Sequence, residues 1–212
     1  MTVPAPPAPD RFDPLHETIE VGTHLYRVCE PQFPDGRPND GTVFNPGFGK
    51  ATRFAFFAQP TVPVLYLADT PEGAVHESIL HDAVAGSFIP RVNWMNKILT
   101  VVEVIRELEI VSFHGAGLRR LDLMARDLTD TEPSTYARTV RWAEAAWNTG
   151  AHGVSYMCRH FNTSKAFCLF GGSAAGSLRA HPDHAQTRAF ILPDDANWLA
   201  QLAADMRVTI RP

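Results

Sequence analysis

The pattern of hydrophobic and polar positions predicts a domain in which strands and helices are mixed. Short apolar segments, several of them rich in β-branched or aromatic residues, predict strands. They cover residues 23–30, 52–57, 62–68, 98–113 (one strand or a hairpin), 152–158 and 165–172. Helices are predicted over residues 71–84, 133–150 and 194–206. The two kinds of element do not alternate regularly, which favours an α+β fold in a single domain.

The helix predicted over residues 71–84 has the clearest start signal. Thr70 offers a hydroxyl N-cap, and Pro71 suits the first helical position. This helix directly follows a predicted buried strand that contains Tyr66, and it carries Glu77 beyond its first turn. A strand and the helix behind it thus present a tyrosine and a glutamate close together along the chain.

The start of the chain and two internal segments predict less regular structure. Residues 1–14 are dense in proline, so we expect a disordered tail followed by one domain over residues 15–212. The segment at 31–50 is rich in proline, glycine and asparagine and predicts a long loop, which is usually either functional or disordered. Residues 172–186 predict a second loop, and residues 173–212 form a C-terminal extension.

Composition indicates a globular protein and excludes several classes. Of 212 residues, 45% are hydrophobic and 20% charged, so the chain can bury a sizeable core. The net charge of −4 gives no general attraction to nucleic acid or to an anionic membrane. Three cysteines without a CxxC pair indicate a reduced, cytoplasmic protein. The absence of long apolar runs and of a secretory signal predicts no membrane contact.

Three familiar motifs are incomplete in this sequence. GFGKAT at 47–52 lacks the first glycine and the hydroxyl after lysine that a phosphate-binding loop requires. GVS at 153–155 lacks the second glycine of a nucleophile elbow. The nine histidines are scattered, and His76 and His81 are five positions apart, which does not place them on one helix face. We therefore predict no metal site.

Three polar residues lie in or beside predicted apolar elements. Arg53 begins the segment RFAFF, Tyr66 lies inside VLYLA, and Glu77 is an acid on an amphipathic helix. Taken singly, each has an ordinary explanation: a charge at a strand edge, a core aromatic residue and a solvated helix face. Composition and spacing alone therefore indicate an α+β domain with a pocket, and nothing more specific.

Five segments between residues 23 and 172 follow one another in a distinctive order. They are LYR, the segment that begins at Arg53, VLYLADTPEGAVHE, YARTVRWAEAAWNTGAHGVSYMCRHF and AFCLF. This order resembles the RES domain family, in which an arginine precedes a leucine–tyrosine strand, the next helix carries a glutamate, and a glycine-x-serine strand follows. The residues matched in this way are Arg53, Tyr66, Glu77 and Ser155, together with Tyr26 and Arg27 as an upstream tyrosine–arginine pair.

The sequence departs from the family pattern at two positions. Val43, in the segment TVFNP, stands where many members have an arginine, and Val154 stands where a proline usually precedes the serine. The role of the missing guanidinium therefore falls to Arg53 or to Arg27, and the sequence leaves this choice open.

The resemblance implies an ADP-ribosyltransferase-like fold, with a twisted β-sheet core and flanking helices. It implies a toxin that cleaves the nicotinamide–ribose bond of NAD⁺, as a glycohydrolase or a phosphorylase, and that an Xre-type antitoxin neutralises. NAD⁺ is then consumed as substrate, and no cofactor is needed. An ADP-ribosyltransferase acting on a protein and a catalytically silent binding module remain alternatives. The oligomeric state, a homo-oligomer included, stays open.

The resemblance also implies roles for the matched residues. Arg53, aided by Arg27, would bind the pyrophosphate through paired hydrogen bonds. Tyr66 and Tyr26 would stack on the nicotinamide ring. Glu77 would stabilise the oxocarbenium-like charge that develops on the ribose as the bond to nicotinamide breaks.

Two further residues complete the predicted site. Ser155 would hold a polar end of the substrate, or a phosphate, through its hydroxyl. Arg159, together with Arg27 and Arg53, would make the mouth of the pocket basic, which suits the acidic tail of a partner protein.

Overall fold

A large curled β-sheet forms the centre of the molecule, and helices cover its outer face. The structure is a computed structural model that describes residues 3–33, 35–183 and 186–211. The strands are β1 (His16–Ile19), β2 (His24–Cys29), β3 (Val64–Ala68), β4 (Phe88–Ile89), β5 (Ile98–Val104), β6 (Leu108–Ser112), β7 (Gly153–Cys158), β8 (Phe161–Phe170), β9 (Leu178–Ala180), β10 (Arg188–Ala189) and β11 (Thr209–Ile210). The helices are α1 (Pro71–His76), α2 (Gly115–Arg120), α3 (Ala125–Leu128), α4 (Tyr136–Trp147), α5 (Gly171–Ala174) and α6 (Pro193–Asp205).

Neighbouring strands in the main sheet follow the order β1, β6, β7, β8, β3, β2, β5 and β10, and β9 also pairs with β5. The β6–β7 pair is parallel, whereas the other pairs of this sheet are antiparallel. Strands β4 and β11 form a small separate parallel pair. The order in the sheet differs from the order along the chain, so many pairings join distant segments.

The curl of the sheet follows from the apolar cluster on its inner face. This cluster contains Ile19 and Leu108 from strands near one end of the sheet, and Leu25 and Val102 from strands near the other end. Burying these side chains together removes their apolar surface from water and brings the two ends of the sheet toward each other. The predicted α+β class in a single domain is confirmed.

Two further apolar clusters lie on the outer face of the sheet. One contains Trp142 and Ala146 of α4 together with Val154 of β7. The other contains Val75 of α1 and Leu199 of α6, with residues of β2 and β5. The two clusters leave a space between α1 and the start of α4, which becomes the cleft described below.

The segment at 98–113 forms two strands that do not pair with each other, so neither predicted arrangement is found. Strand β5 pairs with β2, β9 and β10, whereas β6 pairs with β1 and β7. The short connection at 105–107 therefore carries the chain between two distant positions of the strand order. Apolar alternation predicts a strand but does not identify its partners, because partners are set by long-range packing.

The prediction of a strand over residues 52–57 is wrong. The amide of Thr52 donates to the carbonyl of Ala55 (3.0 Å), and the amide of Ala55 donates back (3.3 Å). The amide of Phe54 donates to the hydroxyl of Tyr66 (3.1 Å). Because these backbone groups are satisfied locally and by a side chain, the segment is buried without joining the sheet.

The N-terminal segment differs from the predicted disordered tail over its described residues. Val3 and Phe12 are buried in the same apolar cluster as α4. The indole Nε1 of Trp142 donates a hydrogen bond to the carbonyl of Pro4 (2.9 Å). Apolar residues within the proline-rich segment thus attach it to α4. Residues 1 and 2 of the predicted tail lie outside the described residues.

Helix α1 is shorter than predicted, since it ends at His76 and not near residue 84. The hydroxyl of Ser78 donates to the carbonyl of Ala74 (2.6 Å), and the amide of Leu80 donates to the carbonyl of Val75 (3.0 Å). These two carbonyls are therefore not paired as the next regular turn requires.

The helices predicted over residues 133–150 and 194–206 correspond to α4 and α6. The predicted loop over residues 172–186 contains strand β9 and most of α5. Its residues 184 and 185 lie outside the described residues.

Candidate active site

Helix α1 brings Glu77 into a cleft on the outer face of the sheet. The helix begins where Thr70 Oγ1 accepts a hydrogen bond from the amide of Gly73 (3.0 Å). A Cβ at Gly73 would overlap the hydroxyl of Ser164 on β8, so glycine at this position allows α1 to lie close against the sheet. Glu77 follows as the C-terminal cap, and its side chain lines the cleft.

Two hydrogen bonds hold the Glu77 carboxylate. The hydroxyl of Tyr156 donates to Oε2 (2.9 Å), and the amide of Arg159 donates to Oε1 (3.2 Å). Burial, followed by the negative charge of Glu77, raises the pKa of Tyr156 well above its ordinary value. Tyr156 therefore stays protonated at neutral pH and acts as a donor that fixes the orientation of the carboxylate.

Arg53 lines the same cleft and is 3% exposed. Its guanidinium carbon lies 5.7 Å from the ring centre of Tyr136 and 5.6 Å from that of Tyr156, so two aromatic rings support the charge. Its Nε and Nη2 atoms have no hydrogen-bond partner among the residues that the structure describes. A buried cation with unused donors is costly unless a ligand supplies acceptors, so this guanidinium fits an anion.

The hydroxyl of Tyr66 supports the segment that carries Arg53. It accepts a hydrogen bond from the amide of Phe54 (3.1 Å) and forms another with Thr52 Oγ1 (2.8 Å). Burial raises the pKa of Tyr66 well above its ordinary value, so the phenol stays neutral. Tyr66 thus uses its polar end to position Arg53.

Strand β2 supplies the opposite part of the cleft through Tyr26 and Arg27. Nη1 of Arg27 donates to the carbonyls of Gly41 (2.9 Å) and Val43 (3.1 Å), which fixes the loop that follows β2. Burial lowers the pKa of Arg27 from its ordinary value. The hydroxyl of Tyr26 donates to Gln186 (3.0 Å), and its ring is partly exposed toward the cleft.

The cleft has a volume of about 570 Å³. Strands β2, β3 and β7, the segment 45–53, the end of α1 and the start of α4 all contribute to its walls. This volume is typical of sites that bind nucleotide-sized ligands. A carboxylate, a buried guanidinium and several aromatic rings line the cleft together.

Comparison with known proteins decides the family. No curated protein sequence matches the chain significantly. The family model described as the RES domain matches residues 24–192, which is most of the chain. The chain belongs to the RES domain family.

One solved structure supports the fold of this RES domain. The chain is similar to a chain in the crystal structure of the MbcT–MbcA toxin–antitoxin complex of M. tuberculosis, with a TM-score of 0.55. The similarity covers 90% of this chain and 91% of that chain, at 16% sequence identity. At this identity the likeness shows a shared fold. The predicted resemblance to the RES family is confirmed.

Five of the six residues that match the RES pattern lie around the cleft. Tyr26, Arg27, Arg53, Tyr66 and Glu77 line it, although they come from four different segments of the chain. The structure therefore brings these residues together in space. Their roles toward a ligand stay predictions.

Arg159 lies outside the cleft lining of the RES domain. Its Nε donates to Asp130 (2.7 Å) and its Nη2 to Glu132 (2.5 Å). Two carboxylates therefore compensate its charge, and the predicted basic mouth lacks this contribution. Arg159 reaches the site instead through its backbone amide, which donates to Glu77.

Ser155 points to the face of the sheet opposite the cleft. Successive side chains of a strand alternate between faces, and the next residue, Tyr156, faces the cleft. The Ser155 hydroxyl, which is fully buried, donates to Glu17, and Glu17 also bonds His114 (3.1 Å) and Lys165 (3.0 Å). The resemblance implies that Ser155 contacts the substrate, but the structure does not place its side chain in the cleft.

We expect acid to weaken the stabilisation that Glu17 provides. Partial burial alone would raise the pKa of Glu17, but hydrogen bonds from His114, Ser155 and Lys165 lower it to about 2. A carboxyl with a lowered pKa stabilises the folded state fully above its ordinary value of 4.5, and this contribution is lost as the pH falls toward 2. Between about pH 5 and pH 3, the wild type should lose about 1 to 2 kcal/mol more stability than Glu17→Gln. Parallel pH profiles in thermal unfolding would contradict this expectation.

Sequence reasoning missed Tyr136 and Tyr156. Tyr136 begins α4, where a buried aromatic residue is typical of any amphipathic helix. Tyr156 adjoins the serine that the family pattern singles out. Strand alternation separates Ser155 and Tyr156 onto opposite faces, but only the structure shows which of them faces the cleft.

The described parts of the chain (residues 3–33, 35–183 and 186–211) offer no cluster of three or more His, Cys, Asp or Glu side chains suited to a metal ion. Within the same ranges, no helix is both long enough and apolar enough to cross a membrane. Cys29, Cys158 and Cys168 are buried thiols that form no disulfide.

Proposed function

We propose that this RES domain is the toxin of a toxin–antitoxin system and that it cleaves the nicotinamide–ribose bond of NAD⁺. The observation that carries the proposal is the pairing, in one cleft, of the positioned Glu77 carboxylate with the buried and unpartnered Arg53 guanidinium. NAD⁺ carries a positive nicotinamide ring and a negative pyrophosphate, which correspond to these two charges. Family membership and the fold shared with a chain of a toxin–antitoxin complex support the same conclusion.

Arg53 binds the pyrophosphate in this proposal. Nε and Nη2 lie on one edge of the planar guanidinium and can donate two parallel hydrogen bonds to phosphate oxygens. The rings of Tyr136 and Tyr156 keep that edge in place, which lowers the entropy lost on binding. Arg27 contributes mainly by fixing the loop at 41–43, which leads into the cleft-lining segment at 45–53.

The partly exposed ring of Tyr26 is available to stack on the nicotinamide or the adenine ring. Tyr66 plays a different part, because both of its hydrogen bonds hold the segment at 52–54. The stacking wall that the sequence predicts therefore falls chiefly to Tyr26.

Glu77 acts on the ribose. As the bond between nicotinamide and ribose breaks, nicotinamide leaves as a neutral molecule with the bonding electron pair, and positive charge develops on the ribose ring. The Glu77 carboxylate, held by Tyr156 and by the amide of Arg159, stabilises that charge without having to reorient. A nucleophile then adds to the ribose carbon and loses a proton. Water yields ADP-ribose, and inorganic phosphate yields the sugar 1-phosphate.

The experiment that tests this function measures free nicotinamide after purified protein is incubated with NAD⁺, with and without inorganic phosphate. Release in both buffers indicates a glycohydrolase, and release only with phosphate indicates a phosphorylase. If neither buffer supports release while NAD⁺ still binds, the proposed cleavage fails, and a binding module or an ADP-ribosyltransferase that requires a protein acceptor is the better description.

The toxin part of the proposal predicts growth arrest in a host that expresses the protein alone. An enzyme that drains a shared metabolite should lower intracellular NAD⁺ before growth stops, and Glu77→Gln should do neither. The family resemblance implies that an Xre-type antitoxin restores growth by binding the protein and blocking its cleft. Equal growth and equal NAD⁺ levels for both soluble proteins would remove the toxin interpretation.

A further inference from the structure

Arg159 lies outside the cleft but connects Glu77, which lines it, with the segment that leads into helix α4. Its backbone amide donates to Glu77 Oε1 (3.2 Å) at the end of α1. Its guanidinium donates to Asp130 (2.7 Å) and to Glu132 (2.5 Å), on the segment between α3 and α4. One residue thus connects the carboxylate of the site with a segment that is far from α1 in the sequence.

The segment that holds the two acids leads directly into a cleft wall. Pro133 and Tyr136 follow it and line the cleft, and the ring of Tyr136 lies 5.7 Å from the guanidinium carbon of Arg53. The position of residues 130–132 therefore determines where Tyr136 lies relative to Glu77. Because the Tyr136 ring contacts Arg53, it also affects the position of the Arg53 guanidinium.

The exposure of the two acids indicates that the ion pairs matter more for geometry than for folding. The side chains of Asp130 and Glu132 are 54% and 67% exposed, whereas that of Arg159 is 22% exposed. Exposed ion pairs contribute little to overall stability, but a network of two acids on one planar guanidinium restricts a segment to one arrangement. A change at Arg159 should therefore leave the fold intact.

We propose that Arg159 is a positioning residue that fixes the distance between the Glu77 carboxylate and the wall formed by Tyr136 and Arg53. Its kinetic consequence rests on the proposed NAD⁺ cleavage, whereas its structural consequence does not. Arg159 itself contacts no substrate in this proposal. It acts through Glu77 on one side and through the segment at 130–136 on the other.

The test compares Arg159→Met with the double variant Asp130→Asn, Glu132→Gln, which breaks the same pairs from the other side. Arg179→Met is the matched control, because Arg179 makes a similar two-bond pair with Glu103 (3.0 Å and 3.0 Å) outside the cleft lining. Hydrogen exchange followed by mass spectrometry reports on residues 129–136 in each protein. Nicotinamide release gives kcat and KM.

We expect faster exchange over residues 129–136 in Arg159→Met and in the double variant, and unchanged exchange in Arg179→Met. We expect kcat to fall by about tenfold to a hundredfold in the first two proteins, with a smaller change in KM, because displaced catalytic groups affect the reaction more than binding. Arg159→Lys should recover part of kcat, since lysine keeps the charge but lacks the fork that reaches both acids.

Unchanged exchange over residues 129–136 in Arg159→Met would overturn the proposal, and so would faster exchange with kcat equal to that of Arg179→Met. Failure of the proposed function is a separate result, because it appears as a wild type that releases no nicotinamide. In that case the exchange measurement still decides whether Arg159 fixes the segment.

Discussion

Replacing Glu77 by glutamine should lower the rate of nicotinamide release by about 100- to 1,000-fold while the melting temperature stays close to that of the wild type. The substitution removes the negative charge that faces the ribose but keeps the size of the side chain. The amide oxygen of glutamine can accept from the amide of Arg159 while its NH2 group donates to the Tyr156 hydroxyl, so the cleft should keep its shape. Steady-state kinetics and thermal unfolding of the two purified proteins measure both quantities.

The matched control for this prediction is Glu72→Gln. Glu72 lies in the first turn of the same helix, α1, but does not line the cleft. It should retain nearly full activity, because its loss removes a charge near the start of the helix and near the Tyr26 hydroxyl but no group that lines the cleft. If Glu77→Gln turns over NAD⁺ as fast as Glu72→Gln does, Glu77 is not the residue that stabilises the ribose charge.

The second large effect is expected at Arg53, where lysine is not a conservative replacement. Lysine keeps the positive charge but offers a compact ammonium group in place of the two donors on one edge of a guanidinium. Losing one phosphate hydrogen bond should weaken binding by about 1 to 3 kcal/mol, which raises KM about 5- to 150-fold with a smaller change in kcat. Initial rates over a range of NAD⁺ concentrations separate the two constants.

Arg138→Lys provides the control for Arg53→Lys, because Arg138 is exposed on α4 and does not line the cleft. Because Arg53 is buried, the melting temperature must be compared as well, so that lost stability is not mistaken for lost affinity. A stable Arg53→Lys protein with the KM of Arg138→Lys would show that the pyrophosphate is bound elsewhere.

Local signals in the sequence predicted the elements whose structure depends mainly on neighbouring residues. The hydroxyl of Thr70 and the ring of Pro71 mark the start of α1 as expected. The spacing of apolar residues likewise predicted α4 and α6. These features are set within a few residues of each other, so they can be read without knowledge of the fold.

Long-range pairing could not be read in this way. The apolar segment at 98–113 is extended, as the sequence predicts, but its two halves have different partners because β5 and β6 take distant positions in the strand order. The segment at 52–57 has strand-like composition, yet the hydroxyl of Tyr66 takes the place of a neighbouring strand. In both cases distant residues supply the deciding contacts.

The candidate site shows the same division. The family order pointed to Arg53, Tyr66 and Glu77, which the structure places around one cleft. It could not show that Ser155 faces away, because a strand side chain changes face with every residue. It could not show that Arg159 is paired, because Asp130 and Glu132 are distant from it along the chain.

The arrangement of Glu77, Tyr156 and Arg53 also has a consequence for ligand polarity. A neutral phenol lies between a fixed negative group and a fixed positive group, so the cleft carries a permanent electric dipole. A dinucleotide with a cationic ring and an anionic bridge has a dipole of its own, and only one insertion direction aligns the two favourably. The reversed direction would oppose like charges at both ends. The electric field of the cleft thus favours binding of such a ligand with its cationic ring next to Glu77 and its anionic bridge next to Arg53. This orientation is selected before any bond in the ligand is broken.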